Sequence, residues 1–243
     1  LKDTGYVTPK EMGQNMTANQ IYESGKTIAG ELTKIGINLN LAPVADLASD
    51  QNPSYAMRCL GSDADGVADL LDDFVSGMRE GGLSVTLKTF PGIGNVSADV
   101  TESIAENTDS LMTIRDTNFV PYASGIQAGA DCVMVSNAAY SKLTVKKVPA
   151  FMSQDIVTKL LREELGFDGI VMTSPLNDNV IENNYTNEFA VVEAVKAGCD
   201  LIVLPGNFKE CYEALITAVE EGRIDEKVIN TSVRRILQNL SLI

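Results

Sequence analysis

The stretch Leu87-Lys88-Thr89-Phe90-Pro91-Gly92-Ile93-Gly94 decides how this sequence is interpreted. It completes an apolar run that begins at Leu83 and predicts a buried strand. The proline and the two glycines that follow favour a sharp turn of the backbone. Ligands of α/β proteins bind beyond the carboxyl ends of parallel strands. A strand that ends in a lysine and a glycine-rich loop therefore predicts a pocket at this point.

Strands and helices alternate along the remainder of the chain. The pattern predicts strands over residues 37–44, 83–87, 131–136, 169–173 and 200–204. It predicts helices over residues 16–35, 64–78, 111–128, 153–165, 187–197, 209–221 and 225–240, whereas 1–15 and 45–63 are expected to be irregular. Helices between successive strands indicate a parallel sheet. On pattern alone, five strands fit an open doubly wound sheet as well as a barrel of about eight. The phrase Ala-Gly-Ala-Asp at 128–131 recurs as Ala-Gly-Cys-Asp at 197–200, which suits a repeated helix-to-strand connection.

Length and composition restrict the classes of protein to consider. The 243 residues suit one large α/β domain over 1–243, and the net charge of −14 argues against nucleic-acid binding. No apolar run reaches the roughly 18 residues of a membrane span, and no signal peptide is recognised. The chain begins with Leu1 rather than Met, so we expect it to be trimmed from a longer protein, with an upstream segment or additional domain.

The chain contains four cysteines and no histidine. No two cysteines form a Cys-x-x-Cys pair, which argues against a zinc or redox motif. Without an imidazole, a Ser-His pair and the commonest metal ligand are both excluded. Asp and Glu side chains could still form a magnesium or calcium site, but no ligand spacing in the sequence indicates one, and we expect neither a metal nor a cofactor.

Six stretches, in order along the chain, resemble glycoside hydrolase family 3, in its β-N-acetylhexosaminidase branch. They are residues 36–46 (GINLNLAPVAD), Arg58 with 60–63 (LGSD), the 88–94 loop, 130–136 (ADCVMVS), 160–169 (LLREELGFDG) and 222–237. The resemblance covers about 18–243 and implies a TIM-type (β/α)8 barrel. Family members carry a first strand ending near Asp-Gln-Glu-Gly-Gly. This chain has no such segment, so the barrel is expected to lack that strand or to be incomplete there.

The resemblance also implies that the catalytic positions are substituted. The family uses a retaining mechanism with a carboxylate nucleophile and a second group that protonates the leaving oxygen. Ser174 stands at the nucleophile position, and Thr101 stands at the position of the acid/base histidine, with Asp99 matching the residue that orients it. Thr89 and Ile93 occupy the two histidine positions of the family's Lys-His-Phe-Pro-Gly-His-Gly motif. We therefore expect hydrolysis to be lost.

Four residues are expected by resemblance to contact a carbohydrate ligand: Asp46, Arg58, Lys88 and Asn137. The alternative for the charged members is that Arg58 and Lys88 pair with Asp46 and Asp99 to tie the barrel rim together, because buried charges are costly unless paired. Asp178 and Glu102 could in principle replace the missing carboxylates, but we expect both to be solvated loop charges, with Asp178 pointing away from the pocket.

Three functions remain open at this point. The favoured one is a catalytically inactive family 3 barrel with a carbohydrate-binding or protein-interaction role, in an extracellular or cell-envelope location. The second is an active retaining glycosidase with displaced carboxylates, which needs a pair about 5–5.5 Å apart. The third is an unrelated barrel enzyme, such as a lyase that uses Lys88 as a Schiff-base nucleophile, which needs a depressed lysine pKa.

Overall fold

A computed structural model of the chain describes residues 6–239. The helices are α1 Pro9–Asn15, α2 Ala18–Lys34, α3 Pro53–Ala56, α4 Ala64–Glu80, α5 Leu111–Asp116, α6 Phe119–Gln127, α7 Asn179–Glu182, α8 Asn187–Ala197, α9 Phe208–Glu220 and α10 Glu226–Asn239, with a 3-10 turn at Ala150–Met152 and a π-helix at Asp155–Glu164. The strands are β1 Leu39–Asn40, β2 Ser84–Phe90, β3 Glu106–Asn107, β4 Cys132–Val135, β5 Ala139–Tyr140 and β6 Ile170–Thr173.

The central sheet has the strand order β1-β2-β4-β6, and all its pairs are parallel. Leu201 extends it by a single bridge to Met172, and β3 pairs with β5 in a separate two-stranded sheet. Strands β4 and β6 are buried along their whole length, as expected of a parallel sheet covered on both faces. The arrangement is a TIM-barrel-like α/β fold, as the resemblance implied. Within residues 6–239, the central sheet has fewer than the eight strands of a closed barrel.

Several predicted boundaries were wrong for identifiable reasons. The predicted helix 111–128 is two helices, since the ring of Pro121 would clash with the carbonyl of Thr117 in a continuous helix. Residues expected to be irregular contain α1, which begins with a capping box between Thr8 and Glu11. The predicted strand 37–44 is shorter, because Pro43 has no N–H to offer a sheet. Residue 240, which ended the last predicted helix, lies outside the described residues.

The two repeated Asp residues perform the same structural task. Asp131 accepts hydrogen bonds from Arg79 of α4 and from the backbone N–H of Val85 at 2.9 Å. Asp200 accepts hydrogen bonds from Arg162 of the π-helix and from the N–H of Val171, also at 2.9 Å. Each Asp thus ties the C-terminal part of a helix to the start of the neighbouring strand, which explains the repeated phrase in the sequence.

Close packing of α2 against α4 depends on glycine. A Cβ atom at Gly77 would lie 2.1 Å from the carbonyl oxygen of Tyr22, so only glycine allows this approach. Among residues 6–239, no helix has the length and apolar character needed to cross a membrane.

Candidate carbohydrate-binding cleft

A cavity of about 640 Å³ opens at the carboxyl ends of the central strands. It has the size and location of a small-ligand site in a barrel. Its lining consists of Leu41, Asn52, Ser54, Tyr55, Arg58, Lys88, Thr89, Ile93, Ser97, Ala98, Asp99, Val100, Thr101, Met134, Asn137, Ser174, Pro175 and Asp178. Of the six sequence-predicted site residues, five therefore meet in one cavity, and the sixth, Asp46, is not part of its lining.

Asp46 lies beneath the cleft floor and is fully buried. Its carboxylate accepts hydrogen bonds from the hydroxyls of Tyr55 at 2.8 Å, Thr89 at 2.9 Å and Tyr122 at 2.9 Å. It also accepts the backbone N–H groups of Thr89 at 3.1 Å and Ile93 at 3.2 Å. Burial raises the pKa of Asp46, and these hydrogen bonds oppose that rise. The geometry gives Asp46 the task of fixing the loop after β2 and the side chains that face the cleft.

The loop after β2 also lies against the backbone of the segment that follows Asp46. A Cβ at Gly94 would lie 1.7 Å from the carbonyl oxygen of Leu47. No residue with a side chain fits there without moving one of the two loops. The glycines of the motif therefore have a packing reason in addition to turn formation.

Arg58 and Lys88 both line the cleft. The Arg58 guanidinium lies over the Tyr55 ring, 5.0 Å from its centroid, which is a cation–π contact. Desolvation lowers the pKa of Lys88, and the charge of Arg58 adds to this effect, while Asp46 opposes it. Within the described part of the chain, neither cation has a carboxylate within 4.0 Å, so the expected alternative of rim ion pairs was wrong.

Ser174 follows β6 and is buried, although it lines the cleft. Its hydroxyl donates a hydrogen bond to the carbonyl oxygen of Val135 at 2.9 Å, and its backbone N–H donates to the same oxygen at 2.9 Å. Thr101 is similarly engaged, because its hydroxyl and its N–H donate to Asp99 Oδ1 at 2.7 and 2.8 Å. These bonds lower the pKa of Asp99.

Asp178 corrects one expectation, because it lines the cleft instead of pointing away. Its Oδ2 accepts a hydrogen bond from Asn137 Nδ2 at 2.8 Å. Burial raises the pKa of Asp178, and the charge of Asp99 raises it further. Glu102 does not line the cleft and instead accepts a hydrogen bond from Asn179 at 2.8 Å.

The sequence offered one signal for the position of Asp178. An Asp directly before the short apolar helix α7 resembles an N-cap, but its side chain makes no capping bond. The carboxylate is thus free to turn towards Asn137 on a different loop, and that pairing is invisible in the local sequence. Among residues 6–239, no group of three or more His, Cys, Asp or Glu side chains has a metal-binding arrangement.

Comparison with known proteins places this geometry in context. Residues 2–239 match the family described as glycosyl hydrolase family 3 N terminal domain. A beta-hexosaminidase of Xylella fastidiosa (strain M23) is 32% identical over 183 residues, which cover 75% of this chain and 54% of that protein. The chain spans about half the length of the curated relatives it matches first.

Solved structures agree with these sequence matches. A glycoside hydrolase family 3 beta-N-acetylglucosaminidase from Paenibacillus sp. str. FPU-7 superposes with a TM-score of 0.91 at 33% identity, covering 96% of this chain and 46% of that one. A beta-N-acetylhexosaminidase from Beutenbergia cavernae DSM 12333 superposes with a TM-score of 0.88 at 30% identity, covering 96% and 71%. The fold comparison therefore favours the barrel over the open doubly wound sheet.

Proposed function

This chain belongs to glycosyl hydrolase family 3 through that family's N-terminal domain, and from this premise we propose that it binds carbohydrate in the manner of a β-N-acetylhexosaminidase but does not hydrolyse it. A retaining glycosidase needs a carboxylate nucleophile and an acid that protonates the leaving oxygen, both placed at the scissile bond. The proposal therefore depends on what the groups at those two positions can do.

The observation that carries the proposal is the hydrogen bond from Ser174 to the Val135 carbonyl oxygen, at 2.9 Å. A serine hydroxyl becomes nucleophilic when an adjacent base removes its proton. Here that proton is directed to a backbone carbonyl, which is not a base. Thr101, at the acid/base position, has no group that titrates near neutral pH. Both steps of the retaining reaction therefore lack their chemical group.

Retention of ligand binding is supported by the cations of the cleft. Arg58 and Lys88 line it, and among residues 6–239 no carboxylate lies within 4.0 Å of either cation, so their N–H groups are available to ligand hydroxyls. Asp46 holds the loop beneath them through Thr89 and Ile93. The N–H donors of Arg58 and Lys88 suit a sugar, because a sugar presents many hydroxyl oxygens that accept hydrogen bonds. If the cleft does not bind a sugar, we propose that the same face binds a protein partner.

The first test is hydrolysis of aryl β-N-acetylglucosaminide and aryl β-glucoside by the purified chain. We expect no turnover above that of a Ser174→Ala variant, because on this proposal the Ser174 hydroxyl contributes nothing to the rate of hydrolysis. Ser174→Asp and its isosteric control Ser174→Asn then ask whether a carboxylate at this position restores any rate. Turnover by the parent chain would refute the proposed inactivity.

The second test measures binding separately from chemistry. Isothermal titration of a β-1,4-linked amino-sugar disaccharide should show binding by the parent chain. Arg58→Ala should weaken binding about tenfold, the effect of losing a charged hydrogen bond. Asp116→Asn on the exposed surface of α5 serves as a control that keeps the cleft intact. Equal affinities of parent and Arg58→Ala would contradict the assignment of the cleft.

An active glycosidase with displaced carboxylates is the second candidate, because both Asp99 and Asp178 line the cleft. The raised pKa of Asp178 beside the lowered pKa of Asp99 is the difference that an acid and an ionised partner require. Turnover that disappears in Asp178→Asn and in Asp99→Asn would support this candidate. The lowered pKa of Lys88 is compatible with the lyase alternative. Family membership instead favours a role for the Lys88 ammonium group in binding a sugar.

A further inference from the structure

One wall of the cleft presents hydrogen-bond acceptors to a ligand. This acidic wall consists of Asp99, Thr101, Asn137 and Asp178, all in the cavity lining. Two of its side-chain donors already donate within the protein: Thr101 Oγ1 to Asp99 at 2.7 Å, and one N–H of the Asn137 amide to Asp178 at 2.8 Å. The neighbouring Ser174 hydroxyl is also committed, to a backbone carbonyl. The carboxylate oxygens that remain can only accept hydrogen bonds while the acids are ionised.

Asn137 supplies an independent sign of a ligand. The residue is 1% exposed, and its Oδ1 has no hydrogen-bond partner among the described residues. Buried polar atoms without partners are rare in folded proteins, and each one calls for an explanation. The bond from Asn137 Nδ2 to Asp178 fixes the orientation of this amide, so that Oδ1 is the atom left over. A ligand N–H or O–H group would satisfy it.

The acidic wall carries two carboxylates, Asp99 and Asp178. Burial raises the pKa of Asp178, and the negative charges of Asp99 and of the nearby Glu102 raise it further. This concentration of negative charge favours a positively charged group on the ligand.

We propose that the acidic wall binds the protonated amine of a non-acetylated amino sugar, so that the cleft prefers glucosamine-type glycans to N-acetylated ones. This inference rests on the proposed carbohydrate-binding function and names its ligand class. An ammonium group has three donors and no acceptor, which matches a wall of acceptors. An acetamido group has one N–H donor, and its carbonyl oxygen would face carboxylates that cannot donate to it.

The test compares two ligands by isothermal titration at about pH 6.5, below the usual pKa of an α-amino group. They are the β-1,4-linked glucosamine disaccharide and its N,N′-diacetylated form. The parent chain should bind the free amine about tenfold more tightly, because a charged hydrogen-bonded contact is gained. Asp178→Asn should remove this preference, so that its affinities for the two disaccharides come within about twofold of each other. Asp116→Asn makes the same charge change on the exposed surface and should retain the preference.

The outcomes separate this inference from the proposed function. Equal or tighter binding of the diacetylated sugar overturns the inference and leaves carbohydrate binding standing. Binding of neither disaccharide overturns both. A preference that survives in Asp178→Asn also overturns the inference. Circular dichroism checks that the variant is folded, and Asp99→Asn replaces it in the same comparison if it is not.

Discussion

Replacing Asp200 by Asn should destabilise this chain more than the same replacement at Asp131, although the two residues occupy equivalent places in the fold. The side chain of Asp200 is fully buried, and its carboxylate accepts hydrogen bonds from Arg162, from Arg235 at 3.2 Å and from the N–H of Val171 at 2.9 Å. The Arg162 side chain is only 10% exposed. Removing the negative charge therefore leaves a buried guanidinium without its partner, which costs about 3–5 kcal/mol.

Asp131 provides the internal comparison. It accepts hydrogen bonds from Arg79 and from the N–H of Val85, so the connectivity is the same apart from the second arginine. The Arg79 side chain, however, is 42% exposed. Water can solvate this guanidinium when its partner loses charge, and the expected cost of Asp131→Asn is about 1–2 kcal/mol.

Urea unfolding followed by far-UV circular dichroism measures this difference. The midpoints of parent, Asp200→Asn and Asp131→Asn are compared at equal slopes, since a changed slope signals a changed unfolding reaction. Asp116→Asn on the exposed surface is the control and should lie close to the parent. If Asp131→Asn lowers stability as much as Asp200→Asn, burial of the arginine is not the cause, and the reasoning fails.

Other parts of the structure predict measurable effects on thiol reactivity, on stability and on ligand binding. The thiols of Cys59 and Cys132 should resist alkylation in the native protein at about pH 8 and react after unfolding in urea, because burial raises the pKa of each to about 12. Gly94→Ala should lower the melting temperature and abolish sugar binding, since its Cβ would lie 1.7 Å from the Leu47 carbonyl oxygen; wild-type binding would show that the loop moves freely. The raised pKa of Asp46 means that the folded state holds a proton that the unfolded state has released, so its stabilising contribution is present below about pH 4 and declines as the pH rises. The stability of the parent relative to Asp46→Asn should therefore fall as the pH rises above about 4, and a constant difference would contradict this.

The fold was largely predictable because its signals are local. Apolar runs such as 131–136 and 169–173 identify strands buried on both faces, and the structure places β4 and β6 within them. The family assignment was confirmed by a match over 2–239. Helix α1 was missed although Thr8 and Glu11 form a capping box, since a seven-residue helix has too few turns for a clear apolar period. The repeat that contains Asp131 and Asp200 was visible in the sequence, but the arginines that pair with them were not predicted.

The candidate site was predictable only in part. Lys88 could be placed in the cleft from its local sequence, whereas the acidic wall could not. Lys88 stands on a strand end within a recognisable motif, so its place in the cleft follows from the sequence around it. The acidic wall instead joins residues far apart in the chain: Asn137 bonds Asp178 across 41 positions, and the N–H of Val180 bonds the Thr101 carbonyl at 2.8 Å. No local pattern specifies such pairings between loops. The proposed ligand preference depends on the pairing of Asp178 with Asn137 and on the Asn137 Oδ1 atom that this pairing leaves without a partner among the described residues. Binding of the two disaccharides therefore tests this cleft more sharply than an assay of hydrolysis does.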